Sequence, residues 1–229
     1  MEERYSRNMA AFSAEELAVI RQKRVLVVGC GGLGGHVLQS LARFGVGRLT
    51  LVDGDCFSKS NLNRQLFATA RTLGQNKAQA CKEALADINP DVEVLACPEM
   101  LAAENADALV AGQDIAVDCL DNVPARRLLG ECCAKHGVPL VHGAIGGFYG
   151  QVANIFPGES LLETIYPANL NTDTLIDKKL GNPAFIPQLV GAVQSCEALK
   201  ILAGCAEALR GGMLQIDMLH GSMEFIEMA

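Results

Sequence analysis

Short apolar runs and amphipathic stretches alternate along most of the chain. Arg24-Val-Leu-Val-Val28, Arg48-Leu-Thr-Leu-Val52, residues 91–96, Asp114-Ile-Ala-Val-Asp-Cys119 and Val138-Pro-Leu-Val-His142-Gly-Ala144 have strand length and are dominated by Val, Leu, Ile and Ala. Residues 33–44, 77–88 and 104–111, and a stretch opening near Pro124, read instead as helices. Strands that are apolar on both faces, alternating with helices, predict a Rossmann-like, doubly wound α/β domain whose mostly parallel sheet carries helices on both faces. The pattern then changes. Residues 151–156 read as an antiparallel strand and 188–202 as an apolar-periodic helix. Residues 212–218 and 222–228 form a period-two hairpin about His220-Gly221, so antiparallel strands are expected at the C-terminal end. Before the first strand, Ser13 and Glu16 form a capping box for a helix over 14–21. The predicted division is an N-terminal helical arm over 1–23, a core over 24–156, and a crossover segment, helix and hairpin over 157–229 completing the same domain.

The first strand feeds Gly29-Cys-Gly31-Gly32-Leu-Gly34, and Asp53 ends the second strand. Gly-x-Gly-x-x-Gly between a strand and a helix, with an acid about 20 residues on, is a nucleotide-binding fingerprint. The glycines let backbone N–H groups and the helix N-terminus approach a phosphate, and Asp53 is placed to accept from ribose hydroxyls. Taken alone, the fingerprint leaves NAD, FAD, ATP and S-adenosylmethionine open.

The residues after Asp53 narrow that choice. Ser60-Asn61-Leu-Asn-Arg64-Gln65 places hydrogen-bonding side chains and a fixed cation directly after the ribose acid, and Lys77 in Gly74-Gln-Asn-Lys77 opens the next helix. Nicotinamide chemistry develops no phosphate charge, whereas breaking a triphosphate calls for cations on the phosphoryl oxygens. Asp121 and Asn122 stand at the carboxyl end of the strand over 114–119, in the same crevice as Gly31 and Asp53. A carboxylate there suits Mg²⁺, which takes one or two protein carboxylates and completes its shell with phosphate and water. The same pair also suits the cap of the helix near Pro124. Arg126 and Arg127 face either the site or solvent.

Composition removes other classes. With 229 residues and 50% hydrophobic content the chain can bury a large core. A net charge of −7 and no basic stripe argue against a nucleic-acid surface. No apolar run approaches about 18 residues and no signal peptide opens the chain, so a soluble, cytoplasmic protein without a membrane partner is expected. Nine cysteines, never spaced Cys-x-x-Cys, read as reduced and mostly buried thiols. Cys196, within the helical pattern over 188–202, is expected in the core.

Gly31-Gly32-Leu-Gly34, Val52-Asp53-Gly-Asp55, Asn61-Leu-Asn-Arg64-Gln65, Gly74-Gln-Asn-Lys77, Cys119-Leu-Asp121-Asn122 and the opening Arg4-Tyr-Ser-Arg7 together resemble the ThiF/MoeB/HesA family. Those enzymes, relatives of the ubiquitin-activating enzymes, adenylate the C-terminal Gly-Gly of ubiquitin-like sulfur carriers. The resemblance runs from Arg4 to about Met218. It implies an ATP-dependent adenylyltransferase with Arg64, Lys77, Asp121 and Arg7 as catalytic residues, Arg7 reaching across a homodimer to the partner's phosphates. It implies ATP contacts at Gly29, Gly31, Gly32, Gly34, Asp53, Asp55, Ser60, Asn61, Arg64, Gln65, Lys77, Asp121 and Asn122, with Mg²⁺ held through Asp121. It also implies a separate sulfur donor of cysteine desulfurase or rhodanese type. Because acyl-adenylate formation starts from an ionised carboxylate, His142 is expected to be a satisfied core or rim histidine and not a base.

One stretch departs from the family. Where relatives carry the first Cys-x-x-Cys of a structural zinc site, this chain reads Glu163-Thr-Ile-Tyr166, and residues 209–229 hold no cysteine, so no zinc is expected. The segment 166–185 has no cysteine for a covalent link to a carrier. It is expected to be a mobile clamp on the carrier's extended tail. Activation of a small carboxylate or of a tRNA carbamoyl group shares the same ATP site. A NAD-dependent oxidoreductase leaves Arg64, Lys77 and Asp121 unexplained, and a non-catalytic carrier scaffold leaves the whole set of ATP ligands unexplained.

Overall fold

The computed structural model describes residues 3–170 and 180–228. Eight strands form one sheet in the order β3-β2-β1-β4-β5-β6-β7-β8. The parallel half comprises β1 (Arg24–Val28), β2 (Arg48–Val52), β3 (Glu93–Cys97), β4 (Ile115–Asp118) and β5 (Leu140–Gly146). The antiparallel half adds β6 (Tyr149–Ile155), β7 (Gly212–Asp217) and β8 (Ser222–Glu227). This is the doubly wound, mostly parallel sheet with antiparallel C-terminal strands that the alternating pattern predicts.

Alternation along each strand divides the core in two. Val25 and Val27 of β1 point to the face covered by α2 (Gly32–Phe44), α3 (Lys77–Ile88) and the long helix α7 (Phe185–Ala203). Leu26 and Val28 point to the other face, covered by α4 (Ala103–Val110), α5 (Val123–His136) and the short α6 (Leu161–Ile165). Before β1, α1 (Ala14–Ile20) begins at the expected Ser13–Glu16 capping box.

Two features were absent from the sequence pattern. A 3₁₀ segment over Glu3–Asn8 docks the N-terminus through buried Tyr5. Its ring lies against Gly45, the left-handed C-cap of α2, and its hydroxyl accepts from Asn89 Nδ2 at 2.8 Å. Both contacts lie at the amino-terminal edge of the sheet. The other feature is α6, five residues whose Leu161 and Leu162 are buried. Part of the expected mobile clamp, 171–179, lies outside the described residues.

All nine cysteines are free thiols, five of them buried, but Cys196 is exposed. That corrects the expectation of a core residue. Its neighbour Glu197 is turned inward, accepting from Asn154 Nδ2 at 2.7 Å and from the Leu209 amide at 2.8 Å. This buried cluster, not the hydropathy of Cys196, sets which side of α7 faces solvent.

The turn from β1 into α2 fixes the site. Gly29 has φ +95°, and a Cβ on Gly34 would lie 1.8 Å from the Gly29 carbonyl oxygen. The helix can seat on the loop only without that side chain. Gly34→Ala should therefore cost at least about 1–3 kcal/mol by overpacking, read as a lower urea midpoint with an unchanged slope.

Candidate functional site

A cleft of about 900 Å³ opens at the carboxyl ends of the parallel strands, lined by Gly29, Gly31, Gly32, Asp53, Arg64 and Lys77 on one side and Asp121, Asn122, Gln151 and Tyr166 on the other. It lies where the strand order reverses between β1 and β4, the switch point at which open α/β sheets bind ligands. Gly31 is the N-cap of α2 and carries no side-chain cap bond, so the first-turn N–H groups of a 13-residue helix face the cleft without a side-chain acceptor.

Asp53 ends β2. Its Oδ2 accepts from the Cys30 amide at 2.7 Å and its Oδ1 from the Asp55 amide at 2.9 Å, tying the second strand to the glycine loop. An ionised carboxylate accepts about four hydrogen bonds, so capacity for ribose hydroxyls remains. Burial raises its pKa, against the Cys30 amide and the Lys77 charge.

Lys77 is the first residue of α3, after the N-cap Asn76, and is buried. An ammonium at the positive end of a helix dipole is unfavourable. Here it is compensated by Asp55, whose Oδ2 lies 2.9 Å from Nζ. Arg64 donates from Nη1 to the Ser60 carbonyl at 3.0 Å and to Asn63 Oδ1 at 2.9 Å.

Some predicted contact residues shape the site without lining it. Asn61 is buried, with Oδ1 accepting from the Ser58 amide at 2.9 Å. Ser60 pairs its hydroxyl with that of Ser58. Gly34 seats the helix. Gln65, Asp55 and Asn122 do line the cleft. Arg7 is exposed on the N-terminal segment docked at the opposite edge of the sheet and is not part of the cleft wall.

Asp121 and Asn122 are placed differently. Asn122 is the N-cap of α5, with Oδ1 accepting from the Ala125 amide at 2.9 Å. The Asp121 side chain is exposed and lines the cleft, its Oδ1 only 3.4 Å from Asn122 Nδ2.

Behind Asp121 lies a buried polar cluster of which the sequence pattern placed only His142. Asp118, the last residue of β4, has no exposed side-chain surface and pairs with Arg126 Nη1 at 3.2 Å. His142 Nδ1 lies 2.7 Å from Asp118 Oδ2 and 3.0 Å from Arg126 Nη1. The short contact to the carboxylate assigns the Nδ1 proton to Asp118 and leaves Nε2 as an acceptor. Tyr166 Oη and Gln151 Nε2 each lie 3.2 Å from Nε2. His142 is thus the satisfied core histidine expected. Burial alone would raise the Asp118 pKa, but Arg126 and His142 hold it below the usual range. For His142 burial prevails and lowers it. A detectable signal existed: an acid ending an otherwise apolar, two-face-buried strand requires a partner, and Arg126 lies in the first turn of the next helix.

A Rossmann-like sheet with a glycine loop, an acid ending the second strand and two cations about one cleft defines a nucleotide-binding enzyme fold. The chain belongs to the ThiF family, whose profile matches residues 5–229. It is 37% identical to the SAMP-activating enzyme E1 of Haloferax volcanii over 98% of this chain and 84% of that one. Identity to the sulfur carrier protein adenylyltransferase of Thermus thermophilus is 36%, over 96% and 84%. To the adenylyltransferase and sulfurtransferase MOCS3 of Mus musculus it is 38%, over 98% of this chain and 50% of that longer protein. The fold also matches E. coli MccB crystallised with MccA-N7isoASN, with a TM-score of 0.86 at 21% identity, over 100% of this chain and 72% of that one.

The buried histidines give a pH signature. Burial places His142, and likewise His36, below the ordinary imidazole value of 6.5. The unfolded chain takes up protons near that pH that the folded protein does not, so stability is retained above about pH 6.5 and falls below it. Thermal unfolding between pH 8 and 5 should show the fall, and His142→Gln should reduce its slope without abolishing it, because His36 remains.

Proposed function

We propose that the protein is an ATP-dependent adenylyltransferase that activates the C-terminal Gly-Gly carboxylate of a ubiquitin-like sulfur carrier as an acyl-adenylate, releasing pyrophosphate. The observation that carries this reading is the buried Lys77, held against the helix dipole beside Asp55 in the same cleft as Arg64, Asp53 and Asp121. Hydride transfer gives such a cation no task. A triphosphate does.

ATP would lie with its ribose on Asp53 and its phosphates over Gly29 to Gly32, within reach of Arg64 and Lys77. A carboxylate oxygen of the carrier attacks the α-phosphorus, the bond from that phosphorus to the bridging oxygen breaks, and the electron pair leaves with pyrophosphate. Lys77 and Arg64 neutralise charge on the phosphoryl oxygens, and the cleft contributes proximity. Mg²⁺ fits the donor set. Asp121 offers one carboxylate to the cleft, and no group of three or more His, Cys, Asp or Glu among the described residues is arranged to hold a metal alone. Such a site suits a cation that arrives with phosphate oxygens and supplies charge neutralisation. No zinc is invoked, because 163–166 and 209–229 offer no cysteine.

A protein substrate, as opposed to a small carboxylate or a nucleoside carbamoyl group, is supported by the mouth of the cleft. Leu180 lines it, and exposed Phe148 and Phe185 pack against each other with ring centroids 5.2 Å apart. Met218, whose side chain is exposed, donates its backbone amide to the Phe148 carbonyl at 3.0 Å. Arg7 would serve a second copy of the chain in a homodimer, since its segment docks away from its own cleft. Sulfur would come from another protein of cysteine desulfurase or rhodanese type.

ATP–pyrophosphate exchange tests the reading, using purified protein and the small ubiquitin-like proteins ending in Gly-Gly from the same genome. Exchange should depend on one carrier and fall on the order of 10²-fold in Asp121→Ala and Lys77→Ala. ATP binding without exchange for any carrier would overturn it and redirect the search to small carboxylates or tRNA.

A further inference from the structure

We propose that Arg126 and Tyr166 are positioning residues that tie the chain leaving α6 to the loop bearing Asp121, and so set how that carboxylate meets Mg²⁺·ATP. The inference rests on the role proposed for Asp121 at the phosphates.

The loop is held on both sides of Asp121. On the near side, the Leu120 amide donates to Asp118 Oδ1 at 2.9 Å and the Leu120 carbonyl accepts from Arg126 Nη2. On the far side, Asn122 is committed to the helix cap. Asp121 is the residue between them, its side chain turned to the cleft. Arg126 also donates from Nη1 to the Gly143 carbonyl at 2.8 Å, so one buried guanidinium joins the loop, the end of β4 and β5.

The same cluster reaches the far wall of the cleft. The Arg126 guanidinium lies 5.6 Å from the centre of the Tyr166 ring. The Tyr166 hydroxyl donates to His142 Nε2, whose Nδ1–H donates to Asp118, and Gln151 Nε2 lies 3.1 Å from that hydroxyl. Arg127 donates to the Tyr166 carbonyl at 3.1 Å and also to the Pro167 carbonyl. Consecutive arginines of α5 therefore hold the backbone just after α6. Displacing Tyr166 would free His142 and, through Asp118, loosen Arg126 on the Leu120 carbonyl. Packed polar networks of this kind have discrete arrangements and do not deform continuously.

The test measures ATP binding by calorimetry with and without Mg²⁺ for the wild type, Tyr166→Phe, Arg126→Lys, Asp121→Ala and the double variant Asp121→Ala/Tyr166→Phe. No carrier and no turnover are needed. Tyr166→Phe removes one hydroxyl, while lysine keeps the charge but not the forked geometry. Each should bind ATP as the wild type does without Mg²⁺ and about fivefold more weakly with it, the size of one lost buried hydrogen bond. In the double variant, Tyr166→Phe should add nothing to the loss from Asp121→Ala, which a purely structural role would not produce. If Arg126→Lys fails to fold, Tyr166→Phe and the double variant decide. Wild-type Mg²⁺ dependence in Tyr166→Phe, beside a loss in Asp121→Ala, overturns the positioning role alone. An Asp121→Ala protein with unaltered Mg²⁺ dependence overturns both the role of Asp121 and the inference built on it.

Discussion

A carboxylate with no access to water must be compensated by its neighbours, and Asp118 imposes that demand on the centre of the molecule. Arg126, the His142 imidazole and the Leu120 amide converge on its side chain, while Gln194 Nε2 donates to its backbone carbonyl at 2.8 Å. These partners come from α5, β5, the β4–α5 loop and α7. A buried ion pair is weak evidence of stability, because replacing both partners by apolar residues is often neutral. Its effect here is geometric. It fixes the angle at which the chain leaves β4, the point from which Asp121 enters the cleft.

The cations around the cleft are compensated in different ways. Arg126 touches the cleft wall but is buried and paired with Asp118, so its charge is largely committed inside the fold. Lys77 is paired with Asp55, whose side chain remains largely in water. Its interaction is screened and can be shared with an incoming phosphate. Arg64 is held by neutral acceptors, a carbonyl and an amide oxygen, and keeps its full charge. The order of availability is therefore Arg64, then Lys77, with Arg126 confined to holding the scaffold. The uncapped N-terminus of α2 adds backbone donors at no cost in side-chain entropy.

Much of this was legible in the sequence because local rules dictated it. Strand and helix periods, the capping box at Ser13, the glycine loop and the turn at His220-Gly221 each depend on a few adjacent residues, and β1, β2 and α3 occupy the expected positions. Long-range bonding was less accessible. Hydropathy places Cys196 inside, but Glu197 takes the inward direction because Asn154 and the Leu209 amide, distant in sequence, need its carboxylate. Tyr5 obeys the same logic. An aromatic in a polar N-terminal stretch carries no periodic signal, and the space over Gly45, the Arg21 guanidinium and the Asn89 side chain give it a burial site. The glycines divided similarly: the motif indicates proximity to phosphate, while Gly34 serves the seating of α2 on the loop.

Asp118 and Asp121 sharpen the distinction between what a residue is and where it sits. Three positions apart at the end of one strand, they have the same side chain and the same intrinsic acidity. One precedes the turn and is sealed beneath α5, where any ligand role would require breaking its bonds to Arg126 and His142. The other comes after the turn, where Asn122 has already satisfied the helix and nothing comparable among the described residues engages its carboxylate. A motif that names the acid cannot separate the two. Counting hydrogen-bond partners can, since an acid whose acceptors are committed inside the fold acts on the protein, and one whose acceptors face a cleft is placed to act on a ligand.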